Sequence, residues 1–92
     1  MQTEIQIPWE ITKRQQVTES VKLMMIRQIN LPLETKEIDN DAPLFGMGLG
    51  LDSIDALELI VGLEQEFDVI VGEGQKEVFR SVNTIVDFLM AQ

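Results

Sequence analysis

Residues 50–67 constrain the fold most, because they combine a helix start with a long apolar helix pattern. Asp52 is a residue type that favours the N-cap position. Asp55 follows three positions later, where a carboxylate suits the first turn of a helix. These signals predict a helix from about Ser53 to residue 66 or 67. The chain before it, down to residue 31, has no helical or strand pattern and is predicted to be one long loop.

Ser53 falls at the first position of this predicted helix. The backbone N–H groups there have no partner within the helix, and the helix dipole places positive charge at this end. An anion attached to the Ser53 hydroxyl would therefore lie in a favourable environment. We interpret Ser53 as a covalent attachment point rather than as a nucleophile.

The missing residue types exclude several kinds of site. The 92 residues include no cysteine and no histidine. Disulfides, thiolate metal sites and thiol nucleophiles are therefore excluded, as is a self-sufficient Ser-His-Asp hydrolase. No catalytic residue and no metal ligand set is predicted. The hydrophobic content of 45% is enough for the core of a single domain.

The charge favours partners with basic surfaces. Sixteen acidic residues against seven basic ones give a net charge of −9, which argues against binding to nucleic acid or to an anionic membrane. No apolar run approaches the length of a membrane span, and the N-terminus lacks a signal-peptide pattern. A cytoplasmic monomer without stable membrane insertion is the expectation.

The whole chain is predicted to consist of an N-terminal extension, residues 1–11, and a domain over residues 12–92. Thr12 and Gln15 resemble a capping box, which predicts a helix start near Thr12. Asn30 and Pro32 end this helix. Its apolar face recurs at spacings of three and four and consists of Val17, Val21, Met24, Met25 and Ile29.

Two further apolar residues, Leu23 and Ile26, are predicted to project from the opposite side of this first helix. Scattered apolar residues on a surface need no special explanation. Alternatively, Ile5, Ile7 and Trp9 of the extension fold back over them. Deleting residues 1–11 would then lower the melting temperature.

The long loop, residues 31–51, is predicted to anchor in the core through Ile38, Leu44 and Phe45. Its end, Gly46-Met47-Gly48-Leu49-Gly50, superficially resembles a nucleotide-binding glycine loop. No Gly-Lys-Ser/Thr follows and no strand pattern precedes it, so we assign these glycines to conformational freedom and tight turning.

The last part of the chain predicts two more helices. A short third helix lies near residues 75–79, flanked by Gly72 and Gly74, and Ser81 caps a last helix. The apolar face of that last helix consists of Val82, Ile85, Val86 and Leu89. The predicted fold class is all-α: a four-helix bundle of three longer helices and a short third one, with the long loop between the first two.

The helix after Ser53 is apolar on two sides. One side is an ordinary core stripe of Ala56, Leu59, Ile60, Leu63 and Phe67. We call the other side the docking face, and it consists of Ile54, Asp55, Leu57, Glu58, Val61 and Glu64. A solvated acidic helix with chance apolar residues would explain any one of these positions. Their combination directly after Ser53 favours a surface that binds partners, with apolar contacts for affinity and carboxylates for steering.

These residues carry a resemblance to a known family. Asp52-Ser53-Ile54, followed by an acidic helix that closes with Leu63-Glu64-Gln65-Glu66-Phe67, resembles the signature of acyl carrier proteins. In that signature an Asp-Ser-Leu tripeptide opens the helix and a Leu-Glu-x-x-Phe pattern closes it. The resemblance extends from about Val17 to Leu89.

The resemblance implies a four-helix carrier domain without catalytic activity of its own. Ser53, with Asp52 and Ile54 as its flanking motif residues, would receive 4'-phosphopantetheine from a transferase that uses coenzyme A. The thiol of that arm would carry acyl groups as thioesters in fatty-acid, polyketide-like or specialised lipid biosynthesis. The implied partners are the phosphopantetheinyl transferase and acyl-processing enzymes, such as a ketosynthase or an acyltransferase, with basic docking surfaces.

Three departures from the family pattern suggest a carrier dedicated to one pathway. Ile54 replaces the usual leucine, and Met47 and Gly48 stand where the family often has acidic residues. The short third helix is also less acidic than usual. Two alternatives stay open: an aminoacyl or peptidyl carrier, which shares fold and attachment chemistry, and an acidic helical interaction module whose serine is unmodified.

Overall fold

The described part of the chain contains three α-helices and, in the loops between them, two short 3-10 helices. The computed structural model describes the backbone of residues 8–72 and 75–92, and the side chains of residues 12–72 and 75–92. The α-helices are α1 (Pro8–Ile29), α2 (Ser53–Phe67) and α3 (Val82–Met90). The 3-10 helices are Thr35–Glu37 and Lys76–Phe79, and the described residues contain no β-strand. The predicted all-α class is confirmed.

The short third helix lies where it was predicted, but it is a 3-10 helix rather than an α-helix. Only four residues, Lys76–Phe79, are available before Arg80 and the cap of α3 at Ser81. A 3-10 helix closes its hydrogen bonds over three residues instead of four, so it suits so short a segment. Val78 and Phe79 of this helix are buried in the core.

The predicted start of the first helix near Thr12 is wrong, because α1 begins at Pro8. Proline is well suited to the first turn of a helix, where its missing N–H would have no partner and its fixed φ is already helical. Residues 8–11 of the predicted extension are therefore helical. The predicted contacts of Ile5, Ile7 and Trp9 with the domain lie outside the described residues.

Ile26 differs from the prediction that it projects from the far side of α1. It is half-buried and packs against the core, whereas Leu23 is 44% exposed as predicted. The chain after α1 turns back at once, with the N–H of Leu31 donating to the carbonyl of Ile26 at 3.2 Å. The 3-10 helix Thr35–Glu37 also contacts α1. The beginning of the long loop thus covers a side of α1 that its sequence alone leaves open.

The core lies between the three α-helices and the long loop. Eight of the residues that the periodicities assigned to helix interiors are buried: Val21, Met24 and Met25 on α1; Leu59 and Leu63 on α2; and Val82, Ile85 and Val86 on α3. The other six are half-buried: Val17, Ile29, Ala56, Ile60, Phe67 and Leu89. The predicted loop anchors Ile38 and Leu44 are buried as well, and Phe45 packs against the core. Gly62 allows α1 and α2 to approach closely, since a Cβ there would lie 2.8 Å from the Met24 sulfur.

Candidate functional site

The start of α2 is fixed by a pair of reciprocal hydrogen bonds. The N–H of Asp55 donates to the Asp52 carboxylate at 2.9 Å, and the N–H of Asp52 donates to the Asp55 carboxylate at 3.1 Å. This capping box places Asp52 at the N-cap, as its sequence predicts, and Ser53 at the first helical position. Backbone N–H groups at the start of α2 that have no helical partner lie beside Ser53.

The Ser53 side chain is exposed. Within residues 12–72 and 75–92, its hydroxyl makes no hydrogen bond that would polarise it for nucleophilic attack. The chain has no histidine that could act as a base elsewhere. The geometry therefore suits a hydroxyl that another enzyme modifies better than it suits a catalytic nucleophile.

The loop that leads to Ser53 is closed by its own backbone. The N–H of Leu49 donates to the carbonyl of Pro43, and the N–H of Leu51 donates to the carbonyl of Leu44, both at 3.0 Å. Gly48 lies directly against Pro43, where a Cβ would be only 1.5 Å from the carbonyl oxygen. The predicted role of these glycines in tight turning is therefore confirmed for Gly48 by a backbone contact.

The same loop is tied to the C-terminal part of the domain. The N–H of Leu44 donates to the carbonyl of Arg80 at 3.0 Å, and the N–H of Asn83 donates to the carbonyl of Asn40 at 2.9 Å. These bonds join the loop to α3 and to the segment before it. Ser53 consequently begins α2 at the end of a segment held at several points, which fixes the position of its hydroxyl relative to the rest of the domain.

A cavity of about 620 Å³ opens beside Ser53. Its apolar lining comes from four separate stretches of chain: Phe45, Leu51, Ala56, Ile60, Val71 and Phe79. Asp52, Ser53, Gln75 and Lys76 supply its polar lining, which we call the rim. The sequence does not predict this cavity. The only signal was that Ala56 and Ile60 belong to the core stripe of α2, on the side that faces the later segments.

The apolar residues of the predicted docking face are exposed together on α2. Ile54 is 68% exposed and Leu57 is 64% exposed, and Val61 and Glu58 are exposed beside them. Met47, in the loop before α2, is fully exposed. These exposed apolar side chains and the Glu58 carboxylate therefore lie together on the surface next to Ser53.

Two members of the predicted docking face also have structural roles. Asp55 completes the capping box of α2. Glu64 is half-buried, and its carboxylate accepts a hydrogen bond from the N–H of Val71 at 3.1 Å. This bond holds the segment after α2 in place, so the carboxylate of Glu64 is less available to a partner than that of Glu58.

No helix in the part of the chain that the structure describes has the length and apolarity needed to cross a bilayer.

Comparison with known proteins identifies related carriers. The model of a protein family described as a phosphopantetheine attachment site matches residues 21–89. The fold is similar to a holo acyl carrier protein from Nitrosomonas europaea solved by NMR, with a TM-score of 0.69 and 23% identity over 83% of this chain and 94% of that chain.

A second similar structure is a crystal structure of an engineered Bradyrhizobium japonicum glycine:[carrier protein] ligase complexed with a carrier protein from Agrobacterium tumefaciens and ATP. The TM-score is 0.69 and the identity 22%, over 83% of this chain and 99% of the matched chain. Because that whole chain is covered by part of this short domain, the matched chain is the carrier protein. One of these two similar structures is thus an acyl carrier protein, and the other is a carrier protein in complex with a glycine ligase.

Proposed function

The chain belongs to the family of carrier domains with a phosphopantetheine attachment site, and on that premise we propose that Ser53 is the residue that bears the arm. Such domains are not enzymes; they carry a covalently attached phosphopantetheine. The observation that supports Ser53 is its position as the exposed first residue of α2, at the rim of the apolar cavity. There the backbone N–H groups of the helix start can face the phosphodiester.

When attached, the arm supplies a terminal thiol that holds cargo as a thioester. The chain's own residues position the serine that would bear the arm. The Asp52–Asp55 capping box keeps the first turn of α2 formed, and backbone hydrogen bonds close the Pro43–Leu51 loop that leads to Ser53. A chain without cysteine has no thiol of its own that could compete for the cargo.

We propose further that the cargo is an acyl group, in fatty-acid, polyketide-like or specialised lipid biosynthesis. The support is the apolar cavity of about 620 Å³ that opens beside Ser53. Burying an alkyl chain there removes apolar surface from water, worth about 0.8 kcal/mol per methylene group. A glycyl group, the cargo suggested by the ligase complex, is too small and too polar to gain from such a cavity. An aminoacyl or peptidyl carrier is therefore the second candidate.

The partners that we propose are a phosphopantetheinyl transferase and acyl-processing enzymes, such as a ketosynthase or an acyltransferase, with basic docking surfaces. The exposed Ile54 and Leu57 would supply apolar contacts, and Glu58 would supply charge complementarity. Met47 extends this apolar surface into the loop. The net charge of −9 favours the approach of a basic partner over long distances.

Attachment can be tested by incubating the unmodified protein with a phosphopantetheinyl transferase and coenzyme A. We expect the intact mass to increase by one phosphopantetheine, and we expect Ser53→Ala to abolish this increase. Ser81→Ala is the matched control, because Ser81 also lies at the start of a helix, as the N-cap of α3, but is buried. It should leave modification intact. Modification of Ser53→Ala would assign the arm to another residue. No modification of the wild-type chain by several transferases would favour the acidic interaction module.

A further inference from the structure

Among the residues that the structure describes, Lys76 is the only basic one that lines the cavity beside Ser53. Four other bases of the domain pair with carboxylates, namely Arg14, Arg27, Lys36 and Arg80. Within the described part of the chain, the ammonium group of Lys76 has no such partner. Lys13 and Lys22 also form no ion pair with the described residues, but neither lines the cavity. What distinguishes Lys76 is that its unpaired charge lies on the same rim as Ser53.

Two described carboxylates, one adjacent to Lys76 in sequence and one on the same rim, have other partners. Glu77, the neighbour of Lys76, pairs with Arg80 at 3.6 Å. Asp52, on the same rim, accepts the N–H of Asp55 in the capping box and forms no ion pair with Lys76. The positive charge of Lys76 is therefore available to an anion that comes from outside the polypeptide.

Gln75, the residue immediately before Lys76, is held by hydrogen bonds to residues on both sides of it. The side-chain oxygen of Gln75 accepts the N–H of Gly72 at 3.0 Å, and the carbonyl of Gln75 accepts the N–H of Val78 at 3.2 Å. These bonds connect Gln75 to Gly72 and to the buried Val78. A cation next to such an anchored residue loses less conformational freedom when it pairs than one on a mobile loop.

We propose that Lys76 binds an anion borne on the arm, and this inference rests on the proposed function of Ser53. Two groups could supply that anion. One is the phosphodiester, which the attachment chemistry places next to Ser53 on the same rim. The other is a carboxylate on the cargo, if the arm folds the cargo back into the cavity. In both cases Lys76 would offset the repulsion between the new anion and the acidic surface around it.

The test compares the wild-type protein with Lys76→Gln, Lys76→Arg and the control Lys13→Gln. Lys13 is also exposed, but it does not line the cavity. Because both substitutions replace a lysine with glutamine, they change the net charge equally. Each protein is studied unmodified, with the arm, and with the arm loaded with butyryl or succinyl. These two cargoes have the same number of carbons but differ by one carboxylate. The measurements are the ³¹P shift of the phosphodiester and the backbone amide shifts of residues 75–79.

If the phosphodiester is the anion, attaching the bare arm should shift these signals. Lys76→Gln should then lower the population of the docked arm about threefold, as expected for one exposed ion pair, and Lys76→Arg should restore it. If the cargo supplies the anion, the dependence on Lys76 should appear only with succinyl. Either result supports the proposal.

The proposal is overturned if Lys76→Gln and Lys13→Gln behave alike in every form. Intact mass separates this outcome from a failure of the proposed function. A normal gain of mass without dependence on Lys76 overturns only the role of Lys76. Absence of any gain in the wild-type protein overturns both.

Discussion

Gly48 touches the backbone of Pro43, whereas Gly46, two residues earlier in the same loop, has no atom near the position of a Cβ. Gly48→Ala should therefore force the loop apart and lower the free energy of unfolding by about 2–3 kcal/mol, as overpacking does. Gly46→Ala is the matched variant. Its cost is confined to the backbone angle of φ +68° and should be about 1 kcal/mol.

Urea unfolding of the two glycine variants measures both losses of stability. A loss at Gly48 no greater than that at Gly46 would show that the Pro43 contact is relieved at little cost. Because Ser53 follows this loop directly, the transferase reaction on each variant would also show whether the loop positions the hydroxyl. We expect the rate to fall more for Gly48→Ala.

Residues governed by their sequence neighbours were predictable. The capping box of Asp52 and Asp55 and the cap at Ser81 depend on hydrogen bonds over three residues, so local sequence indicates them. The crowding of Gly48 was not predictable in this way, because it depends on how the loop folds back on Pro43. The bond from Val71 to Glu64 joins residues seven apart across the end of a helix, which no helical spacing predicts.

Helix α2 presents Glu58 to solvent among exposed apolar residues. Glu58→Lys should weaken docking of a basic partner and reduce kcat/KM for modification by the transferase about five- to tenfold at low salt. The difference should shrink as salt is added. The fold should be retained, since the carboxylate of Glu58 forms no ion pair with the described residues.

Glu19→Lys on α1 is the control for Glu58→Lys, because Glu19 is also exposed and the two substitutions change the net charge equally. Equal losses in both variants would show that overall charge, rather than the docking face, steers the partner. Glu64 is less suitable for this comparison. Reversing its charge would also remove the acceptor for the N–H of Val71.

The interiors of the helices were predictable, but their surroundings were not. Spacings of three and four residues identified the buried sides of α1, α2 and α3. Ile26 packs against the core although the periodicity assigned it to the opposite side of α1, and such tertiary contacts leave no periodicity in the sequence. The start of α1 at Pro8 was missed because the Thr12–Gln15 pair gave a competing cap signal.

The cavity is lined by residues of α2, the long loop, the segment after α2 and the second 3-10 helix. Filling it with an alkyl chain should stabilise all four together. We expect octanoyl cargo to raise Tm relative to the bare arm, by about 4–8 °C for each net kcal/mol gained. Glycyl cargo should leave Tm nearly unchanged, and equal shifts for the two cargoes would favour the aminoacyl carrier.

The fold class was predictable from sequence because each helix carries its own apolar face. The cavity was not, since it depends on how four stretches of chain meet, and only two of its lining residues lie on the core stripe of α2. The rim was not predictable for the same reason. Nothing in the sequence distinguishes Lys76 from the other lysines, and only the fold shows that it lines the same cavity as Ser53.

The capping box at the start of α2 has a consequence for how such carriers diverge. Asp52 and Asp55 are needed to begin the helix whatever enzyme approaches it. Inherited changes that redirect the chain to a new enzyme therefore have most freedom at exposed positions such as Ile54, Leu57 and Glu58. We expect duplicated descendants to differ first at these positions while keeping both aspartates, so that a new pathway can be acquired without rebuilding the domain.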